Sequence, residues 1–220
     1  MATFTATANT DTTIGYTLAG YANWRTGSSN GAIQGGHSIA PAGESYVGLI
    51  IFEGAGAALK GADISSITLS VTSGSSGTQS GNSTLTIHKS KYQALDKAVL
   101  GRNYVGDTLG TLTGRHYNNT TTYTLDATTN AALFAALKAY LAEGNSAIIL
   151  YNGETSTSQA GSANYCVITS CTLTVTLSGG DTVPYCKDGK WIQCWSYYYN
   201  KDRWVKCARN RHNGKNWEKV

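Results

Sequence analysis

Cys171-Thr172-Leu173-Thr174-Val175-Thr176-Leu177 is the cleanest alternation in this 220-residue chain. Cys171, Leu173, Val175 and Leu177 share one side and three threonines the other, the period-two pattern of a strand with one face on a core and one in water. Phe4–Ala8, Thr84–His88 and Tyr123–Leu125 alternate in the same way, and Ile64–Thr72 places Ile67, Leu69 and Val71 together. Tyr46–Phe52 (YVGLIIF) is a continuous apolar run of strand length, which predicts burial on both faces, and Ala147–Tyr151 completes the set.

Composition agrees with this reading. Charged residues make up only 14%, glycine is abundant at 25 residues and proline scarce at 2, as expected of many short strands joined by small-residue loops. One helix interrupts the strands, predicted from Thr129 to Glu143. Leu133, Leu137, Tyr140 and Leu141 fall on one of its faces, Asp126, Thr128 or Thr129 is placed to cap its start, and Gly144 to end it. Ser73–Ser83, Tyr92–Arg115 and Asn152–Asn164 show no periodicity and read as long loops, where binding or unconstrained sequence collects. The expectation is an all-β, jelly-roll-like β-sandwich over residues 1–178 with one amphipathic helix.

After a Gly-Gly-Asp linker at 179–181, the remaining 39 residues repeat one unit three times: TVPYCKDGKWIQC (182–194), WSYYYNKDRWVKC (195–207) and ARNRHNGKNWEKV (208–220). Trp191, Trp204 and Trp217 recur every 13 residues, each after a turn-forming cluster containing Asp188-Gly189, Lys201-Asp202 or Asn213-Gly214. That pattern predicts three β-hairpins. The tail holds nine Lys/Arg against three Asp/Glu, a surplus of six positive charges, whereas residues 1–181 hold eight against ten. The basic residues read either as solvated charges that guard sheet edges or as a contact for an acidic surface such as an anionic glycan.

The N-terminus MATFTATANT has neither a basic nor an apolar signal region, and the longest apolar run, Ala147–Leu150, is too short to cross a membrane. Synthesis in the cytoplasm, no membrane insertion and reduced thiols are therefore expected for the five cysteines 166, 171, 186, 194 and 207. Cys166 and Cys171, five apart on one strand segment, are expected on opposite faces and unbridged. No Cys/His spacing suits zinc, and no cofactor or metal is expected.

Nor does a catalytic set emerge. There is no G-x-S-x-G between strand and helix. His37, His88, His116 and His212 are scattered and read as surface or packing residues, and Gly31–Gly36 (GAIQGG) lacks the lysine and the βαβ context of a nucleotide loop. The candidate binding residues are aromatic: Tyr185, Trp191, Trp195, Tyr198, Tyr199, Trp204 and Trp217 in the tail, and Trp24 beside Arg25 in the body. Flat rings on a rigid sheet can stack on sugars; they equally supply the core of small hairpins, a subunit interface or, for Trp24, a plug for the sandwich end.

Two resemblances bear on function. Asn23-Trp24-Arg25-Thr26-Gly27, SYVGLIIF, ISSITLSVT, the helix, IILYNGETS and CTLTVTL occur in an order that resembles the DNRLRE-type β-sandwich domains of carbohydrate-binding modules and phage virion proteins, although the family's namesake motif is not legible. The units YYNKDRWVK (198–206) and HNGKNWEKV (212–220) resemble the terminal aromatic repeats of structural proteins from phages of Firmicutes. Asp202 replaces the glycine in the second unit, and Arg211 stands in the third where Tyr185 and Tyr198 stand in the others.

These resemblances imply a non-enzymatic virion component, a tail or baseplate appendage or a head decoration protein. Its implied partners are other virion proteins, further copies of itself (a trimer among the forms) and a host-surface glycan, with no nucleic acid. A bacterial carbohydrate- or cell-wall-binding module is the other reading. Against it stand the missing secretion signal and a repeat shorter than that of choline-binding hairpins.

Overall fold

A computed structural model describes residues 2–8, 13–17, 24–25, 31–39, 42–74, 82–153, 166–178, 182–187, 190–195, 197–200, 203–206, 210–212 and 217–219. Within these, 13–17, 24–25, 36–39, 42–45 and everything from 182 onward are described by backbone pairing. The chain divides into two compact units, Thr3–Leu177 and Ser178–Val220 with Met1–Ala2.

The larger unit runs β1 (Thr3–Ala8), β2 (Thr13–Thr17), β3 (Trp24–Arg25), β4 (Ala32–Ile39), β5 (Ala42–Ile51), α1 (Ala55–Leu59), β6 (Ile64–Ser73), β7 (Asn82–Ser90), α2 (Gly101–Tyr104), β8 (Val105–Arg115), β9 (Thr120–Leu125), α3 (Ala131–Ala142), β10 (Ala147–Leu150) and β11 (Cys166–Leu177). Every ladder is antiparallel. One sheet has the order β1-β11-β6-β9; the other runs β8-β7-β10-β5, with β2 on the far side of β5 and β3 beyond it. Their inner faces share one core, in which Leu69, Val71, Leu173 and Val175 meet Ile50, Leu85, Ile87, Ile148 and Leu150. The fold is an all-β sandwich.

β4 joins the two sheets. Ala32–Gln34 pair with Cys166–Ile168 of β11, and Gly35–Ile39 then pair with Ala42–Tyr46 of β5. The change of partner falls on Gly35, whose φ of +96° is open to glycine and costly for other residues. β10 occupies the same side of β5 at Gly48–Ile51, so β4 takes its place where β10 ends. There the edge of β7 would be left open. Gln34, 1% exposed, closes it: its Nε2 donates to Thr84 O at 2.8 Å and its Oε1 accepts from Thr86 N at 2.7 Å. One side-chain amide stands in for a missing peptide unit of the ladder.

Strands β5 and β10 of the second sheet are covered on both faces, as the YVGLIIF run requires. Ile50 and Ile148 face the sandwich core, whereas Val47, Leu49, Ala147 and Ile149 pack outward against Tyr104 and the half-buried Leu95, Val99 and Leu100. α3 seals part of the sandwich with Leu133, Phe134, Leu137, Tyr140 and Leu141 buried; such side chains are each worth about 1.5–3 kcal/mol on leaving water. It starts at Ala131, two residues later than its sequence suggests, because Asp126 Oδ1 is engaged by Thr128 N and Thr129 N in a turn of its own. Asn130, left-handed, is the N-cap, and Gly144 follows the C-cap at φ +97°.

Three expectations are corrected. Residues 105–115 are not loop but the 11-residue strand β8. Leu109 and Leu112, three apart, both reach the interior because the register with β7 shifts between Ile87↔Gly110 and His88↔Thr108, and this bulge hides the alternation. Gly110 there leaves room for the helix, since a Cβ would lie 3.1 Å from the Leu133 side chain.

Cys166 and Cys171 do not point to opposite faces. Both are buried, free and in the same core, because the extra residue between Ile168↔Ser73 and Ser170↔Thr72 reverses the alternation. The helix is also not alone: α1 and α2, of five and four residues, are too short to show a period.

The smaller unit contains three two-stranded ladders: β12 (Thr182–Lys187) with β13 (Lys190–Trp195), β14 (Tyr197–Asn200) with β15 (Arg203–Lys206), and β16 (Asn210–His212) with β17 (Trp217–Lys219). In the first two, the register leaves two residues between the strands, as Asp188-Gly189 and Lys201-Asp202 suit.

The closure by Gln34 is testable. Gln34→Ala leaves two part-buried backbone groups without partners, at up to about 1–3 kcal/mol each, so urea unfolding of the sandwich should show a loss of about 2–6 kcal/mol. Gln34→Glu, which keeps the acceptor but cannot donate to Thr84 O, should fail to restore stability at neutral pH.

Candidate binding surfaces

The aromatic candidates are placed by their ladders. Trp191, Trp204 and Trp217 occupy the same register position in successive hairpins, opposite Cys186, Tyr199 and His212. Tyr185 and Tyr198 are likewise equivalent, opposite Ile192 and Val205, and Arg211 opposite Glu218 takes that position in the third. The 13-residue period of the sequence is thus a period of hairpin register. Trp195 lies not at the head of the second unit but at the end of β13, opposite Thr182. Trp24 pairs with Tyr16 on β3, at the end of its sheet. The body aromatic and the tail aromatics belong to different units.

The sandwich contributes a second surface. Along β1, β6, β9 and the Thr172–Thr176 part of β11 the outward positions are Ser or Thr. Thr5, Thr174, Thr68 and Thr124 form one rank across the four strands, and Thr7, Thr172, Ser70 and Thr122 the next. Neighbouring hydroxyls bond within these ranks, Thr7 to Thr172 at 3.0 Å and Ser70 to Thr122 at 3.1 Å, and Thr72 does so with Thr120 at 3.0 Å. Uncharged hydroxyls at the strand spacing of about 4.8 Å can exchange hydrogen bonds with water or a polyol but carry no acid, base or activated nucleophile. The sequence showed each strand's threonines; only the pairing shows that they align.

One exposed aromatic was missed. Tyr92, 41% exposed, lies 4.7 Å from the buried Tyr104 ring. Tyr104 is itself held by its hydroxyl, which accepts from Asp96 N at 2.7 Å. A single tyrosine in an aperiodic stretch gives no sequence signal.

Inside the sandwich, a polar knot forms around His116, which is buried and, of the two readings, a packing residue. The Tyr123 hydroxyl meets Nε2 at 2.5 Å, Ser83 Oγ meets Nδ1 at 2.8 Å, and Cys166 Sγ donates to His116 O at 3.8 Å. Burial pushes Tyr123 and Cys166 up to about 12 and His116 down. The phenol therefore donates to Nε2, and neutral His116 donates from Nδ1 to Ser83. Histidine, serine and cysteine coincide here, but the set includes no carboxylate and each ring nitrogen is already occupied. It is a structural bond network. Among the described residues no group of three or more His, Cys, Asp or Glu is placed to hold a metal, and no helix is long and apolar enough to span a membrane.

Comparison with known proteins finds no matching family model and no matching curated protein. The functional argument therefore rests on the geometry.

His116 generates a pH prediction. Its folded-state affinity for protons is lowered, so below its unfolded pKa of about 6.5 the unfolded chain binds the proton more readily. The stability that depends on the neutral ring is complete above that pH and is lost as pH falls toward the folded value. In urea titrations, the advantage of wild type over His116→Gln should shrink on going from about pH 7 to about pH 5.

Proposed function

We propose that this chain is a non-enzymatic structural component of a bacteriophage particle, a tail or baseplate appendage or a decoration protein. The three hairpins act as its assembly device and the sandwich as the displayed body. The observation that carries the proposal is the equivalent registration of Trp191, Trp204 and Trp217 on three separate two-stranded ladders. An isolated two-stranded hairpin is marginally stable in water, so each ladder gains by laying its aromatics against another surface. A repeated contact suits a particle that presents the same partner many times, where weak individual contacts add through multivalency. The charge surplus of the tail favours an acidic partner surface. The interior histidine network and the neutral hydroxyl face support a body without catalysis.

Light scattering on the full-length protein tests the assembly role. Wild type should run as a defined oligomer, and the triple variant Trp191→Ser, Trp204→Ser, Trp217→Ser should fall to a lower mass with its sandwich still folded. A monomeric wild type would reject assembly through the tail. Glycan-array binding by that monomer, abolished by Trp204→Ala, would instead support a carbohydrate- or cell-wall-binding module.

A further inference from the structure

His88 of β7 stands where the β7–β8 ladder is broken twice. The register shifts between Ile87 and His88 and again between His88 and Ser90, so β8 carries extra residues on both sides of the His88↔Thr108 pair. Bulges leave backbone groups without ladder partners. On the other side of β7, β10 stops at Leu150, and the chain makes one more backbone contact, Tyr151 N to Thr86 O at 3.1 Å. The imidazole of His88 reaches a carbonyl at each of these disturbed places. Nδ1 lies 3.0 Å from Gly106 O, Nε2 lies 2.9 Å from Tyr151 O, and the Tyr151 ring sits 6.1 Å away.

A carbonyl oxygen only accepts, and a neutral imidazole has one N–H and one lone pair. Two carbonyls at hydrogen-bond distance from both nitrogens are satisfied together only by the imidazolium. A third group decides what happens on proton loss. Thr108 Oγ1 lies 3.3 Å from Nδ1 and can donate to it once that nitrogen carries a lone pair. With Nε2 protonated, the bond to Tyr151 O survives, Nδ1 accepts from Thr108, and Gly106 O is released. The opposite tautomer would set a bare Nε2 against Tyr151 O with no donor to relieve it.

We propose that His88 is a protonation-dependent tie that fastens β8 and the end of β10 to β7 as the imidazolium and releases the Gly106 carbonyl when it becomes neutral. The charged and titratable groups around it are Lys89 on its own strand, Asp107 between the two β8 contacts and the Tyr151 phenol beside β10. Release loosens the first part of β8 and α2 just before it. These elements carry Tyr104 and Val105, part of the cover over Val47, Leu49 and Ile149. The device makes the outer cover of one sheet, rather than the sandwich core, responsive to pH.

Nitrogen-resolved NMR of the full-length protein tests this. In the imidazolium both His88 nitrogens should read as protonated; in the neutral ring Nε2 should keep its proton and Nδ1 should be bare. Between the two forms the protection of the Lys91 amide, which donates to Tyr104 O at 2.9 Å, should fall roughly fivefold, after correction for intrinsic exchange, relative to amides of β6 and β11 as the ring becomes neutral. Thr108→Val removes the donor that stabilises the neutral form, so loss of the Nδ1 proton should move to higher pH than in wild type. His88→Phe should leave the Lys91 amide weakly protected at every pH. The tie is refuted if the neutral ring keeps its proton on Nδ1, if Lys91 protection is indifferent to the state of His88, or if Thr108→Val leaves the proton loss where it was. The Thr108 variant keeps the test decisive even if His88→Phe does not fold.

Discussion

The sandwich depends on one strand belonging to both of its sheets. β4 leaves β11 at Gln34 and joins β5 at Gly35, so the sheets are hydrogen-bonded together at that corner and not only packed across a core. Such a switch creates a local problem. As β4 takes the place of β10 beside β5, the edge of β7 loses its neighbour while still buried, and unpaired buried amides are expensive. Gln34 solves it because its side chain holds one donor and one acceptor in the geometry of a peptide unit. Neither asparagine, shorter by one methylene, nor glutamate, without a donor, offers the same reach and pairing.

The same economy recurs elsewhere. Gln93 Oε1 accepts from Ser146 N at 2.7 Å and Ala147 N at 3.0 Å, and its Nε2 donates to the Tyr140 hydroxyl at 3.0 Å, tying the segment after β7 to the start of β10. His116, His88 and Gln34 each bind where a ladder ends, bulges or changes partner. The polar side chains that attract attention as potential chemistry are therefore employed in completing an irregular backbone. Among the described residues, the hydroxyl face of one sheet and the Tyr92 ring take no part in this completion of the backbone.

How much of this was legible beforehand follows from where the chain is regular. The strands of the alternating segments, the doubly buried YVGLIIF run and the apolar stripe of the helix could be read because side-chain direction there follows a fixed period. β8 could not, because its bulge places Leu109 and Leu112 on the same side at a spacing no strand template contains. Cys166 and Cys171 were assigned to opposite faces for the same reason. Gly31–Gly36 shows no alternation because glycines punctuate it, whereas Gly35 marks a change of sheet within a strand. Tail periodicity was visible as spacing, and pairing converts it into equivalent register. The assembly of hydroxyls into ranks, and of Ser83, His116, Tyr123 and Cys166 into one knot, joins residues up to 83 positions apart, which no local pattern can announce.

His88 and His116 place opposite demands on the same solvent. His116, buried beside a phenol that stays protonated, completes its network only as the neutral ring, whereas His88 completes its contacts only with two donors. Their consequences differ because their surroundings differ. The His116 knot joins β7, β8, β9 and β11 inside the sandwich, so its protonation acts on the stability of the whole fold. The contacts of His88 lie at the break between β7 and β8, under a cover of short helix and irregular chain, where local opening costs less than global unfolding. Acid therefore weakens the core while tightening the cover, and alkali does the reverse. The same proton thus acts in opposite senses on the interior knot and on the outer layer, because one ring is complete when neutral and the other when charged.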